Sequence, residues 1–215
     1  MTERPSENLE PIALPVPVFG GCLTLLDALK MRCTSRNINA EKISLKALSD
    51  ILWAAQGVNR SKGPFGDSGR TAGSASNSQE IDLYVAMEEG IYLYDAFRHR
   101  LVPVIAGDLR ALAIGPGQAD FVARAPVQLI YIVDVQRLTH TSGFQEPGLQ
   151  DPEVQKSYYF VDTGLIAGNV YLFAAAQGLA SWFHNCNKPG LAAKLNLRPE
   201  QRVLFGQTVG YPAKR

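Results

Sequence analysis

The chain has 215 residues, 46% of them hydrophobic, which is enough to bury the core of one full domain. Lys and Arg number 21 against 20 for Asp and Glu, a near-cancellation that argues against a broad nucleic-acid footprint or a membrane-surface patch. Cys22, Cys33 and Cys186 are odd in number and widely spaced, so they fit neither a disulfide framework nor paired metal ligands; free thiols in a reducing compartment are expected.

Residues 1–20 read as an extended arm, since Pro5, Pro11, Pro15 and Pro17 remove backbone donors and disfavour helix before each of them. The start of the arm carries Glu3, Glu7 and Glu10 rather than the basic start and apolar run of a signal peptide. No stretch is uninterruptedly apolar over the length of a bilayer, so a cytoplasmic location is the expectation. Residues 21–215 read as the folded domain. Thr24 caps a short helix through Leu25, Leu26, Ala28 and Leu29. Next, Arg32-Cys33-Thr34-Ser35-Arg36-Asn37 packs two guanidiniums and two hydroxyls into one short turn. Guanidinium forks match phosphate oxygens, so the segment is either an anion site or a solvated basic turn. Ser44 caps a second helix with Leu45, Leu48, Ile51, Leu52 and Ala55 on one face, ending at Gly57. Residues 58–72, rich in Gly, Ser, Asn and charge, read as a mobile loop.

The run Gly73-Ser74-Ala75-Ser76-Asn77-Ser78-Gln79-Glu80 is small and polar, and leads into Ile81, Leu83, Val85 and Met87 alternating with Asp82, Tyr84 and Ala86. The alternation predicts a half-buried strand. The loop before it is either a plain turn or a device that presents amides and hydroxyls to a planar, polar-edged ligand. Turns at Glu88-Glu89-Gly90 and Arg98-His99-Arg100 join the following apolar runs into an antiparallel meander. Residues 108–113 look helical, and residues 127–135 are nearly continuously apolar, as in a strand covered on both faces. Residues 136–150 read as a polar connection. Asp151-Pro152 starts a helix that runs to Ala176 and closes at Gly178. From 162 to 173 this helix is apolar or small nearly all round, so it is expected to be buried on most sides, with glycines that admit another helix, one from a second subunit included. A short helix from Pro189 and a final strand over residues 203–211 complete the chain.

Side-chain chemistry is scarce. His99, His140 and His184 have no carboxylate or cysteine at metal-ligand spacing, so no metal site is expected. His99 and His140 lie in turns and read as structural or exposed, whereas His184 follows Trp182 and Phe183 and stays open as a pocket residue. No nucleophile elbow, phosphate-binding loop or dinucleotide fingerprint is present. A cofactor that carries its own chemistry would explain the shortage of catalytic side chains.

Four separated stretches resemble the nitroreductase-like FMN-dependent oxidoreductases, particularly the short branch near the thiazole/oxazole dehydrogenases. Arg32-Cys33-Thr34-Ser35-Arg36 is similar to the family's Arg-x-Ser/Thr-x-Arg/Lys, and Leu48-Ser49-Asp50-Ile51-Leu52-Trp53-Ala54-Ala55-Gln56-Gly57 to the helix of that branch, written Leu-Leu-Trp-Ala-Ala-x-Gly. The 74–79 loop resembles Pro-Ser-x-x-Asn-x-Gln, with Gly73 in place of the proline, and Gly210-Tyr211-Pro212 resembles a Gly-Tyr-Pro near the C-terminus. The resemblance implies an α+β fold with a mainly antiparallel central sheet flanked by helices, interlocked as a homodimer with FMN at the interface. It implies cofactor contacts from Arg32, Cys33, Thr34, Arg36, Ser74, Ala75, Ser76, Asn77, Gln79, Asn169, Ala180, Ser181, Lys214 and Arg215, and a substrate pocket at Trp182, Phe183 and His184. The implied activity is ping-pong transfer from NAD(P)H to a small-molecule acceptor, a nitroaromatic or a quinone, with no catalytic side chain of its own. Two alternatives stand beside it: a peptide azoline-type dehydrogenase that needs a partner, and a flavin-binding sensor or carrier without turnover.

Overall fold

The structure, a computed structural model, describes residues 9–18, 23–63, 67–115, 117–118 and 120–213. In chain order the elements are β1 (Ile12–Ala13), α1 (Leu25–Met31), α2 (Leu45–Gln56), β2 (Val58–Arg60), β3 (Gly69–Arg70), β4 (Ile81–Ala86), β5 (Gly90–Asp95) and β6 (Arg100–Ala106). They continue with α3 (Asp120–Ala123), β7 (Val127–Asp134), α4 (Val135–His140), α5 (Pro152–Ala176), β8 (Ala180–His184), α6 (Lys188–Lys194) and β9 (Gln201–Gly210). Seven strands form one sheet in the order β1-β6-β5-β4-β7-β9-β8, each paired antiparallel to its neighbours.

Side chains alternate across a strand, so β7 serves two cores at once. Leu129, Tyr131 and Val133 pack with Leu48, Ile51 and Leu52 of α2 and with Ile166 and Val170 of α5. Ile130 and Ile132 meet Leu191 of α6 on the opposite face. All eight β7 residues are buried, as the continuous apolar run predicts. β4 departs from its half-buried expectation: Tyr84 and Ala86 are also buried, because α6 and the turn at Arg110–Ala113 cover the face that alternation assigns to water.

The caps are local and appear where the sequence puts them. Thr24 and Asp27 form a reciprocal capping box on α1, and the Ser44 hydroxyl accepts from the N–H of Ala47 at the start of α2. Asp151 caps α5 with Pro152 in the first turn, and Gly178, at φ +68°, turns the chain out of it.

Three further expectations are corrected. Residues 58–72 are not only loop: β2 and β3 pair as a short antiparallel ribbon, and the Thr71 N–H donates to the Gly57 carbonyl at 2.9 Å. Residues 136–150 are not a plain connection, since α4 begins at Val135, capped by an Asp134 carboxylate that accepts from the N–H groups of Gln136 and Arg137. Only a single 3₁₀ turn, Arg110–Ala113, forms where residues 108–113 look helical.

α5 is long and apolar enough by composition to cross a membrane, yet Tyr159, Ile166, Val170 and Ala174 pack into the core beneath the sheet. Its outer face leaves Val161 60% and Leu165 48% exposed. On α1, which packs beside it, Leu25, Leu26 and Leu29 are exposed as well.

Candidate functional site

The arginine-rich segment lies along β8, the strand at one end of the sheet. The Ser35 N–H donates to the Ser181 carbonyl at 3.0 Å, and the segment is held at its far end by Asn39 N–H to Tyr211 O at 2.9 Å and Ala213 N–H to Asn37 O at 3.0 Å. Arg32 sits 5.6 Å from the centre of the Tyr171 ring and Arg36 5.2 Å from that of Trp182. The Tyr171 hydroxyl accepts from the Phe183 N–H at 2.7 Å and lies 3.2 Å from Thr34 Oγ1. Tyr171 therefore ties the end strand, α5 and the basic segment together. Arg32, Thr34 and Arg36 are exposed, and neither guanidinium pairs with a carboxylate among the described residues. Two uncompensated guanidiniums and a hydroxyl, anchored on Tyr171 of α5 and Trp182 of β8, suit the oxygens of a phosphate. Cys33 is exposed between them, and Ala180 and Ser181 are buried in β8.

The 74–79 loop lies elsewhere. Ser76, Asn77 and Gln79 all adopt left-handed backbone, with φ of 50°, 55° and 51°, a conformation that non-glycine residues hold only when their surroundings enforce it. The enforcement is visible. Ser74 Oγ accepts from the Gln79 N–H at 3.0 Å, and the Ala75 N–H donates to Asp162 Oδ2 of α5 at 2.8 Å. The Gln79 amide is consumed internally: its oxygen accepts from Arg70 Nε at 2.6 Å and its nitrogen donates to the Ser68 carbonyl at 2.7 Å. Gln79 thus sets the shape of the loop. Asn77 donates more weakly, to Ser68 O at 3.4 Å. The Ser76 side chain has no hydrogen-bond partner among the described residues, and Gly73 has open space where a side chain would stand.

These two groups are not brought together within one chain. Asp162, under the loop, and Tyr171, under the arginines, are nine residues apart on α5, which is about 13–14 Å along the axis and half a turn round it. Asn169 shares the Asp162 side and donates to the Thr71 carbonyl at 3.3 Å. Lys214 and Arg215 lie outside the described residues.

Trp182, Phe183 and His184 do not line one pocket. Trp182 and His184 meet at a tilt on one face of β8, ring centres 4.7 Å apart, while Phe183 points to the other and packs on Phe205 and Tyr131. His184 is a satisfied core residue, 2.8 Å from Thr208 Oγ1 and 2.8 Å from the Asn185 carbonyl, and burial holds its pKa below the usual histidine range. His99 is structural too, between Ser49 at 2.8 Å and Tyr94 at 2.9 Å. Among the described residues no group of His, Cys, Asp and Glu could hold a metal ion.

Sequence reasoning did not single out Tyr171, Asp162, Arg70 or Glu80. The available signal was anomaly: a hydroxyl and a carboxylate within an otherwise apolar helix.

A mainly antiparallel sheet is layered by α2 and α5 on one face and α6 on the other, with a guanidinium cluster at its β8 edge, the architecture of a nitroreductase-type oxidoreductase. The chain belongs to the nitroreductase family, whose sequence profile matches residues 29–211. A nitroreductase-like protein from Methanocaldococcus jannaschii is 31% identical over 166 residues, covering 74% of this chain and 77% of that one. The crystal structure of a nitroreductase-like protein from Ralstonia eutropha superposes with a TM-score of 0.82 at 30% identity, covering 100% of this chain and 97% of that one. A chain of the Escherichia coli microcin synthetase McbBCD complex, solved with truncated pro-MccB17 bound, shares the fold at a TM-score of 0.70 and 16% identity, covering 97% and 80%.

Proposed function

We propose that the protein is an FMN-dependent oxidoreductase that works as a homodimer. The observation that carries the reading is the pair Arg32 and Arg36, exposed, without carboxylate partners, and pinned on Tyr171 and Trp182 at the β8 edge. A terminal phosphate fits that cluster, with the Thr34 hydroxyl beside it. A flavin held there would supply the hydride chemistry, with NAD(P)H as the reductant and a nitroaromatic or quinone as the acceptor.

The chain's own part is binding and orientation. Arg32, Thr34 and Arg36 hold the phosphate. The 74–79 loop, kept in left-handed backbone by Arg70, Ser74 and Asp162, presents Ser76, Asn77 and the open space at Gly73 to a planar ring edge. The separation of the two groups across α5 supports a site completed between two copies. So do Leu26 at 77%, Val161 at 60% and Leu165 at 48% exposure, each of which gains about 1–2 kcal/mol when the rest of its surface is covered.

A second reading, dehydrogenation of a peptide azoline presented by a partner, is favoured by the fold shared with the McbBCD chain. Flavin released by heat from the purified protein identifies the cofactor, and FMN is expected. NAD(P)H consumption with menadione or a nitrofuran is expected for the first reading; consumption only with a peptide-presenting partner selects the second, and a protein that carries no flavin and binds none overturns both.

A further inference from the structure

Beneath the 74–79 loop lie two carboxyl groups that the proposed chemistry does not use. Glu80 is fully buried and Asp162 is 4% exposed. Their outer oxygens are employed: Ser78 Oγ donates to Glu80 Oε2 at 2.6 Å, and the Ala75 N–H donates to Asp162 Oδ2 at 2.8 Å. The remaining Glu80 oxygen, Oε1, is buried with no hydrogen-bond partner among the described residues. A buried carboxylate oxygen without a donor is costly, whereas a protonated one is a donor in its own right.

Both loop residues that meet these acids sit within the left-handed stretch or beside it, so the acids hold the two ends of the strained backbone. The charged groups around the pair come from β3, β4, β7, α4 and the segment before β9. Arg70, next to β2 on β3, borders the same void of about 20 Å³ as Asp162, enough for one water. Arg137 of α4 donates to the Glu80 backbone carbonyl at 3.1 Å, but its charge is taken by Asp82 at 2.7 Å. Asp134 is met by Arg198 at 2.5 Å. His140, also on α4, is exposed and bonded within its own helix. No cation among these forms an ion pair with Glu80 or Asp162.

We infer that Glu80 and Asp162 are positioning residues that share one proton, and that this proton keeps the 74–79 loop in the shape that faces the ligand. Asp162, which accepts from a backbone N–H, is the charged member, and Glu80 carries the proton on Oε1. When the proton passes to solvent, two like charges remain buried side by side and the loop opens to hydrate them. The flavin-edge role of the loop rests on the proposed function; the latch itself does not.

The direction follows from the surroundings of Glu80. Burial first, and then the Asp162 charge, push its pKa from 4.5 up to about 7, and burial raises Asp162 as well. A carboxyl whose closed-state pKa is raised favours closure at low pH, and that advantage is lost as pH climbs from about 4.5 towards 7. If opening returns Glu80 to 4.5, one-proton linkage makes the closed fraction fall about 30-fold relative to the open one between pH 5.5 and 8.

The test uses flavin-free full-length protein and amide hydrogen exchange, corrected for the intrinsic pH dependence of exchange. The protection factor of the Ala75 N–H is expected to fall about 30-fold between pH 5.5 and 8, while that of Ile130 in β7 does not follow it. Glu80→Gln places an amide N–H where the proton was, and should abolish the fall. Should that variant not fold, Asp162→Asn, which keeps an acceptor for Ala75 but removes the neighbouring charge, should shrink it. A constant Ala75 protection factor in the parent, an equal fall at Ile130, or an undiminished fall in the variants overturns the latch. Because no flavin is present, these outcomes are independent of whether the protein binds FMN.

Discussion

Replacing Arg36 with alanine separates folding from cofactor binding. The guanidinium is exposed, 5.2 Å from the centre of the Trp182 ring, and pairs with no described carboxylate. Its removal forfeits one surface cation–π contact, about 0.5–1 kcal/mol, so stability to urea should drop by no more than about 1 kcal/mol. A phosphate held by the same group is another matter. A charge-assisted, bidentate pair lost from the complex costs about 2–4 kcal/mol, which at 1.4 kcal/mol per tenfold lowers FMN affinity by about 30-fold to 1000-fold. Riboflavin lacks the phosphate and should bind Arg36→Ala nearly as it binds the parent. Both flavins can be titrated into apo-protein by the quenching of their fluorescence, and turnover at saturating FMN should stay within a few-fold of the parent, since the phosphate takes no part in hydride transfer. Equal losses for FMN and riboflavin, or an unchanged FMN affinity, refute the phosphate assignment.

Tyr171→Phe leaves the Phe183 N–H of β8 without its 2.7 Å acceptor and Thr34 without its neighbour; urea unfolding should report a loss of about 1–3 kcal/mol. Leu26→Asp combined with Leu165→Asp puts charge on the exposed apolar faces of α1 and α5, and light scattering should then show a monomer where the parent is expected to run as the proposed dimer. At Gly206 an added Cβ would lie 2.6 Å from the Ala113 carbonyl oxygen and 2.7 Å from His184 Cε1. Gly206→Ala should therefore destabilise by about 1–3 kcal/mol through overpacking, read as a lower Tm.

The site was partly legible. Arg32, Thr34 and Arg36 are visible as a dense cluster of phosphate-type donors, and the structure rests them on Tyr171 of α5 and Trp182 of β8. Gln79 is visible only as a side-chain amide, and nothing local says that Arg70 and Ser68 consume it. His184 looks open in sequence because its partner, Thr208, is 24 residues away across a strand pair. The trio at 182–184 reads as one pocket until β8 is known to be a strand, when period-two alternation sends its middle member, Phe183, to the opposite face.

What the sequence determined by itself is what nearest neighbours along the chain can enforce. The capping box at Thr24, the Asp151-Pro152 start and glycine end of α5, and the doubly buried run of β7 depend on side chains and backbone groups within a few residues of one another. The tertiary structure decided everything that depends on which elements meet. It buried Tyr84 and Ala86 on the second face of β4 by laying α6 over them, drew β2 and β3 into a ribbon, and made Asp134, the last residue of β7, a helix cap as well. It also set the arginines and the 74–79 loop on opposite sides of α5 and brought the buried carboxyls of Glu80 and Asp162, 82 residues apart, into contact beneath that loop. Burial and long-range hydrogen bonds are properties of the packed surface as a whole, and a short window of sequence carries no record of what will be packed against it.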